Sequence, residues 1–221
     1  MNAPYSAVVF DLDGTLLDSL ADIAITVNLV LAEHGFPEHE IPKYRYFVGD
    51  GVVTLFERVL PVEVDRVEWV PRCVARFNEV YDHHWYVNTR PYEGIAELIA
   101  ELRRRSLPLA VLSNKPHAFT VKCVERFFAA DDFAVVLGQR EGVPKKPDPA
   151  GAVDVASRLG LSPEQCVYVG DSLVDMQTAV RARMYPVGVL WGFRERDELV
   201  AHGAACVLSH PSELWQLEFS T

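Results

Sequence analysis

Ser6-Ala7-Val8-Val9-Phe10-Asp11-Leu12-Asp13-Gly14-Thr15 is the stretch on which the reading of this chain turns. Its first five residues form a short apolar run, and the run stops at a turn-forming Asp-Leu-Asp-Gly-Thr. That pattern predicts a buried strand with polar residues at its carboxyl end. Similar runs recur at 109–112, 134–137, 166–169 and 186–190, with a weaker one at 205–208. Helical periodicity fills the intervals at 95–105, 117–128, 149–159 and 173–183. Strands alternating with helices of that length predict βαβ units, hence a parallel sheet covered on both faces.

One segment interrupts the alternation. From 18 to 88 there is helical periodicity and no convincing strand. Leu20, Ile23, Val27, Val30 and Leu31 make one apolar stripe, and Val52, Leu55, Phe56, Val59 and Leu60 make another. A third helical stretch covers 64–86, and Pro37, Pro42 and Pro61 punctuate the series. The expected organisation is an α/β core at 1–17 and 89–221, with an all-helical cap at 18–88 inserted after the first strand. Such an insert would lie over the carboxyl edge of the sheet.

In an open α/β sheet, ligands bind outside the carboxyl ends of the strands. The residues expected there are Asp11, Asp13, Gly14 and Thr15 after the first strand, then Ser113, Asn114 and Lys115 after the second. A later loop brings Lys145, Lys146, Pro147 and Asp148, and the fourth strand is followed by Gly170, Asp171, Ser172 and Asp175. Two carboxylates, Asp11 and Asp171, suit a hard cation such as Mg²⁺. An aspartate beside such a cation can attack phosphorus and form an aspartyl-phosphate. Asp13, two residues beyond Asp11 where the chain turns, is placed to protonate a leaving oxygen and later to deprotonate a water. Ser113 and Lys146 would bind the phosphate oxygens, and the amides from Gly14 onward, including Thr15, would cradle them.

Asp11-Leu12-Asp13-Gly14-Thr15-Leu16-Leu17-Asp18-Ser19 resembles the first motif of the haloacid dehalogenase superfamily. Ser113-Asn114-Lys115 resembles its second motif, Lys146-Pro147-Asp148-Pro149 its third, and Gly170-Asp171-Ser172 with Asp175 its fourth. The four occur in the family's order and span the whole chain. The resemblance implies a Rossmann-like core with a helical cap, and Asp11 as nucleophile with Asp13 as acid and base. It also implies Mg²⁺ held by Asp11, Asp171 and the Asp13 carbonyl, with Asp175 assisting the metal. The Asn114 amide would join the phosphate site. Within the insert, the run from Tyr46 through Gly49, Asp50 and Gly51 to Leu60 is similar to the cap of phosphoglycolate phosphatases, as is the run from Val189 to Phe193. The likeness makes Gly49, Asp50 and Gly51 candidates for substrate selection and 2-phosphoglycolate the favoured substrate.

Blander readings stand beside these. Asp is a common helix cap, a reading that suits Asp18 and Asp148, and Ser162 with Gln165 three residues on reads as a capping box. His83 and His84 are read as packing or surface residues. A sugar phosphomutase would use the same catalytic residues, and a pyrophosphatase or nucleotide phosphatase with the same cap type stays open. A non-catalytic phosphate-binding module would be expected to have lost Asp11 or Asp13, and both stand.

Composition sets outer bounds. The 221 residues carry 31 acidic against 21 basic side chains, a formal net charge of -10. That balance argues against a nucleic-acid or anionic-membrane partner and leaves a small phosphorylated metabolite, with the chain a monomer or homodimer. No apolar run approaches the roughly 20 residues of a membrane helix. No secretory leader is read at the N-terminus, so a cytoplasmic location is expected. The four cysteines, Cys73, Cys123, Cys166 and Cys206, form no CxxC pair and are expected as free thiols.

Overall fold

The computed structural model describes residues 5–219, in two compact units: residues 5–17 with 91–219, and Asp18–Arg90. In chain order the elements begin with β1 (Ala7–Phe10), β2 (Leu17–Asp18), α1 (Leu20–Glu33), α2 (Tyr44–Phe47), α3 (Val52–Val59) and α4 (Arg66–His84). Then follow β3 (Arg90–Pro91), α5 (Ile95–Arg104), β4 (Leu109–Pro116), α6 (His117–Phe127), β5 (Val135–Gln139) and α7 (Ala150–Arg158). The chain closes with β6 (Cys166–Gly170), α8 (Leu173–Ala182), β7 (Tyr185–Val189), α9 (Arg196–Ala201) and β8 (Cys206–Leu208).

Six strands make one parallel sheet in the order β5-β4-β1-β6-β7-β8. All four residues of β1 are fully buried, because the strand is central and helices cover both faces. Alternation along the strand assigns its residues to opposite faces. Ala7 and Val9 join Ala110, Leu112, Val155, Tyr168 and Ala179 in one core cluster, which α7 and α8 cover. The sheet order reverses at β1, with β4 on one side and β6 on the other. The carboxyl ends of these three strands therefore bound the crevice where this architecture takes ligands. The covering helices are amphipathic. In α5, Ile95, Leu98, Ile99 and Leu102 are buried, while Arg104 pairs with Glu101 on the outer face.

The Asp18–Arg90 unit is helical. Its α4 packs on both α1 and α3, with Phe56, Phe77 and Tyr81 buried between them and the Phe77 and Tyr81 rings stacked at 4.9 Å. A buried carboxylate organises its ends. Asp22, on α1, accepts hydrogen bonds from the Asn88 and Thr89 amides at 2.8–2.9 Å, from Asn88 Nδ2 at 2.8 Å and from Thr89 Oγ1 at 2.7 Å. At the boundary between the units the chain runs through β2 and β3, which pair with each other. These two-residue strands are too short to leave a pattern in the sequence.

Of the three expected caps, one is displaced. Asp18 does not cap α1, whose N-cap is Ser19. Asp148 accepts the Ala150 amide at 2.9 Å at the start of α7. Ser162 and Gln165 form the reciprocal capping box expected of them. Among the described residues no helix is long and apolar enough to cross a membrane, and all four cysteines are free.

Candidate active site

The loop leaving β1 is wound tightly. The Asp11 amide still bonds Val169 O of β6 at 2.9 Å, after which the amides of Thr15, Leu16 and Leu17 all turn back to Leu12 O. Gly14 sits in the middle at φ +91°, where a Cβ would lie 2.3 Å from Asp171 Oδ2. Only glycine satisfies both the backbone angle and that approach. The closeness serves Asp171: Thr15 Oγ1 donates to its Oδ1 at 3.3 Å, and the Phe193 amide donates to its Oδ2 at 2.7 Å. Trp191 Nε1 reaches back to Thr15 O at 2.9 Å. Between Trp191 and Phe193, a Cβ on Gly192 would come within 2.3 Å of both Asp171 Cβ and Gly14 O. The loop after β7 thus braces the loop after β1.

Lys146 is the centre of a second set of contacts. Its buried Nζ lies 2.8 Å from Asp11 Oδ1 and 2.7 Å from Asp175 Oδ1, and it donates to Leu112 O at 3.2 Å. The main chain of Lys146 is held by Asn114, whose amide side chain accepts from Lys146 N at 2.8 Å and donates to Lys146 O at 3.0 Å. Asp175 has both oxygens engaged. Oδ1 takes Lys146 and the Tyr168 hydroxyl at 3.4 Å, while Oδ2 takes Ser172 N at 3.1 Å and Ser172 Oγ at 2.5 Å. Ser172 is the N-cap of α8, so a capping box fixes Asp175 under the site. Adjacent Lys145 is exposed.

Asp11, Asp171 and Asp175, all buried, bring one carboxylate oxygen each within 4.8 Å of one another. Burial raises the Asp11 carboxyl to about 7, against the opposing pull of the Lys146 ammonium and with a further push from Asp175. Burial likewise lifts Asp171 well above the usual carboxylate range, reinforced by Asp175 and Asp11. For Lys146, burial disfavours the ammonium, but the charges of Asp11 and Asp175 outweigh it and hold the group above an ordinary lysine. Three carboxylates face one ammonium, and the excess negative charge is what a hard cation would neutralise.

Of the residues expected at the strand ends, Asp11, Gly14, Thr15, Ser113, Asn114, Lys146, Asp171 and Asp175 gather at the carboxyl ends of β1, β4 and β6. Asp13 stands at the rim, and both of its oxygens lie 3.1 Å from Lys115 Nζ. The sequence brings both residues to the same sheet edge, but their pairing across strand ends far apart in the chain leaves no signal in spacing. Gly49, Asp50 and Gly51 belong to the helical unit. There Gly49 and Gly51 take φ +114° and +84°, and Asp50 pairs with Arg58 at 2.5 Å. Arg58 also donates to Phe47 O at 2.9 Å, which staples the loop across its base.

Comparison with known proteins adds an independent line. The family described as haloacid dehalogenase-like hydrolase matches residues 8–189. An N-acetylmuramic acid 6-phosphate phosphatase of Pseudomonas aeruginosa is 31% identical over 94% of this chain and 92% of its own. A phosphoglycolate phosphatase of Nitrosospira multiformis is 33% identical, over 87% of this chain and 86% of its own. Among solved structures, a Lactobacillus delbrueckii protein provisionally assigned as a phosphoglycolate phosphatase superposes with a TM-score of 0.90 at 32% identity. That match covers 96% of this chain and 97% of the other.

Proposed function

Because this chain belongs to the haloacid dehalogenase-like hydrolases, we propose that it hydrolyses a small phosphate monoester through an aspartyl-phosphate on Asp11. The observation that carries the reading is the position of Asp11, at the end of the central strand, 2.8 Å from Lys146 and grouped with Asp171. Mg²⁺ fits the donor set, and Asp11, Asp171 and the Asp13 carbonyl would hold it, with Asp175 assisting. When bound it offsets the repulsion between the carboxylates and an anionic phosphate.

The residues divide the work as follows. An Asp11 oxygen attacks phosphorus as the bond from phosphorus to the alcohol oxygen breaks, and Asp13 delivers a proton to that oxygen. In the second half Asp13 takes a proton from water as the water attacks phosphorus, which releases phosphate and restores Asp11. Ser113 Oγ, Lys146 Nζ and the amides following Gly14 hold the phosphate oxygens. The observed contacts make Asp175 the anchor of Lys146 and Asn114 the clamp on its main chain. Thr15 contributes its amide to the cradle and its hydroxyl to Asp171.

The favoured substrate is 2-phosphoglycolate, supported by the relatives of that activity and the likeness of the cap loop. The Pseudomonas aeruginosa relative favours a second reading, an amino-sugar 6-phosphate. Purified protein with Mg²⁺ is tested on 2-phosphoglycolate, N-acetylmuramic acid 6-phosphate, hexose phosphates, nucleotides and pyrophosphate. A dominant kcat/KM for 2-phosphoglycolate is expected. Preference for the amino-sugar phosphate selects the second reading, and no hydrolysis of any of them refutes the phosphatase assignment.

A further inference from the structure

Lys115 has no assigned part in the chemistry above, yet its ammonium meets the acid–base carboxylate. The side chain of Lys115 is 5% exposed and that of Asp13 is 17% exposed. Nζ is equidistant, at 3.1 Å, from the two Asp13 oxygens, so the contact addresses the carboxylate as a whole. The main chains on both sides are already fixed. Asp13 forms a bridge with Leu17, and the next amide, Gly14 N, bonds Leu17 O at 2.8 Å. What remains adjustable at Asp13 is the rotation of its side chain.

Lys115 is equally secured. Its amide donates to Ser113 Oγ at 3.2 Å, and its carbonyl accepts Thr120 Oγ1 at 3.1 Å. A Cβ on Gly138 of β5 would lie 2.6 Å from Lys115 O. The neighbouring strand therefore approaches the Lys115 carbonyl and the Thr120 hydroxyl closely. A lysine on a rigid strand end, reaching a carboxylate whose backbone is rigid, sets the direction in which that carboxylate presents its oxygens.

We propose that Lys115 is a positioning residue for Asp13, orienting the carboxylate for the proton transfers of both half-reactions. It does not bind phosphate, in contrast to Lys146. The inference rests on the phosphatase reading and on Asp13 being the acid and base.

A general acid matters for an alkyl leaving group, which departs as a basic alkoxide, and matters little for 4-nitrophenolate. The test compares kcat/KM for 2-phosphoglycolate and 4-nitrophenyl phosphate in wild type, Lys115→Met, Lys115→Gln and Lys115→Arg, with inhibition by inorganic phosphate measured alongside. Melting curves check that each variant folds, and the two neutral variants are read together so that a folding defect in one does not decide the matter.

In the neutral variants the expected loss is on the order of ten-fold or more on the alkyl phosphate and under about three-fold on the aryl phosphate. Phosphate inhibition should be unchanged, and Lys115→Arg should recover part of the alkyl rate. In an Asp13→Asn background the Lys115→Met change should add nothing further, since the two residues act through one group. Equal losses on both substrates, or weakened phosphate inhibition, would overturn the role of Lys115 while leaving the phosphatase reading intact. A wild type inert on both substrates would overturn that reading and the proposal with it.

Discussion

Replacing Asp22 by alanine should loosen the helical unit by several kcal/mol, although Asp22 lies outside the proposed chemistry. Its carboxylate is buried and serves four donors: the backbone N–H groups of Asn88 and Thr89, the Asn88 amide and the Thr89 hydroxyl. The two side-chain donors can rotate toward other partners, whereas the two backbone amides cannot. A buried donor left unpaired costs roughly 1–3 kcal/mol, so the two amides together come to about 4 kcal/mol. Against a total of roughly 5–15 kcal/mol for a folded domain, that is a large fraction. Asp22→Asn keeps the shape but turns an N–H₂ toward N–H groups, so about half the effect is expected there. Hydrogen exchange at the amides of Asn88 and Thr89 reads the change directly, and urea unfolding measures its size. Trp69 and Trp85 report from within the same unit. A destabilisation under about 1 kcal/mol, with exchange at those two amides unaltered, would refute the reasoning.

Other perturbations probe the site itself. Asp11→Asn should abolish turnover, and near-normal activity would remove it as nucleophile. Asp13→Asn should slow turnover by about 10²–10⁴-fold while calorimetric Mg²⁺ affinity changes little, because only the Asp13 carbonyl is asked to touch the metal; a full rate would dismiss it from catalysis. Gly192→Ala forces a Cβ to 2.3 Å from Asp171 Cβ and Gly14 O, so Mg²⁺ affinity should fall and stability drop by about 1–3 kcal/mol. An unchanged binding isotherm would show that this loop does not brace Asp171. Asp11 and Asp171 bind protons more tightly folded than unfolded, since burial raises both. The metal-free protein should therefore lose their contribution as pH climbs from the ordinary carboxylate range toward the raised values, about 7 for Asp11. Mg²⁺ competes with those protons, so its increment in Tm should be larger near about pH 8 than near about pH 5.5. Equal increments would contradict the linkage.

The central strands were readable because each is a short apolar run buried on both faces, and the turn residues that end β1, β4 and β6 are the ones proposed to carry chemistry. β1 shows this plainly, with Ala7–Phe10 buried and Asp11 following at once. Periodicity also served for the helical insert, whose long α4 falls within the expected stretch. Less legible was the work done by side chains on one another. Asn114 and Asp175 occur in motifs that suggest contact with phosphate and metal, and the structure adds hydrogen bonds from their side chains to Lys146 and Ser172. Lys146 comes from a separate loop, about which spacing along one strand says nothing, whereas Ser172 stands three residues before Asp175 at capping-box spacing. Asp22 was hidden differently: in the first turn of a helix an acid is ordinary, and only the return of the chain at Asn88 and Thr89 shows what it binds. Trp191 and Phe193 stood out only by likeness, whereas the structure gives their contacts with Thr15 and Asp171.

The position of β1 in the sheet also has a consequence in time. Val8 is paired with Leu109 on one side and Val167 on the other, so the first strand to leave the ribosome is among the last to find its neighbours. At a synthesis rate of about 5–20 residues per second, β6 follows β1 by roughly 8–30 s. Throughout that interval Asp11 lacks Asp171, and until β4 emerges the apolar strand that precedes it has no neighbour to join. The Asp18–Arg90 unit draws its contacts from one continuous segment and can be complete before β4 exists. The residue proposed as nucleophile therefore stands upstream of a helical unit that can be finished first, and it gains Asp171 only once β6 has emerged.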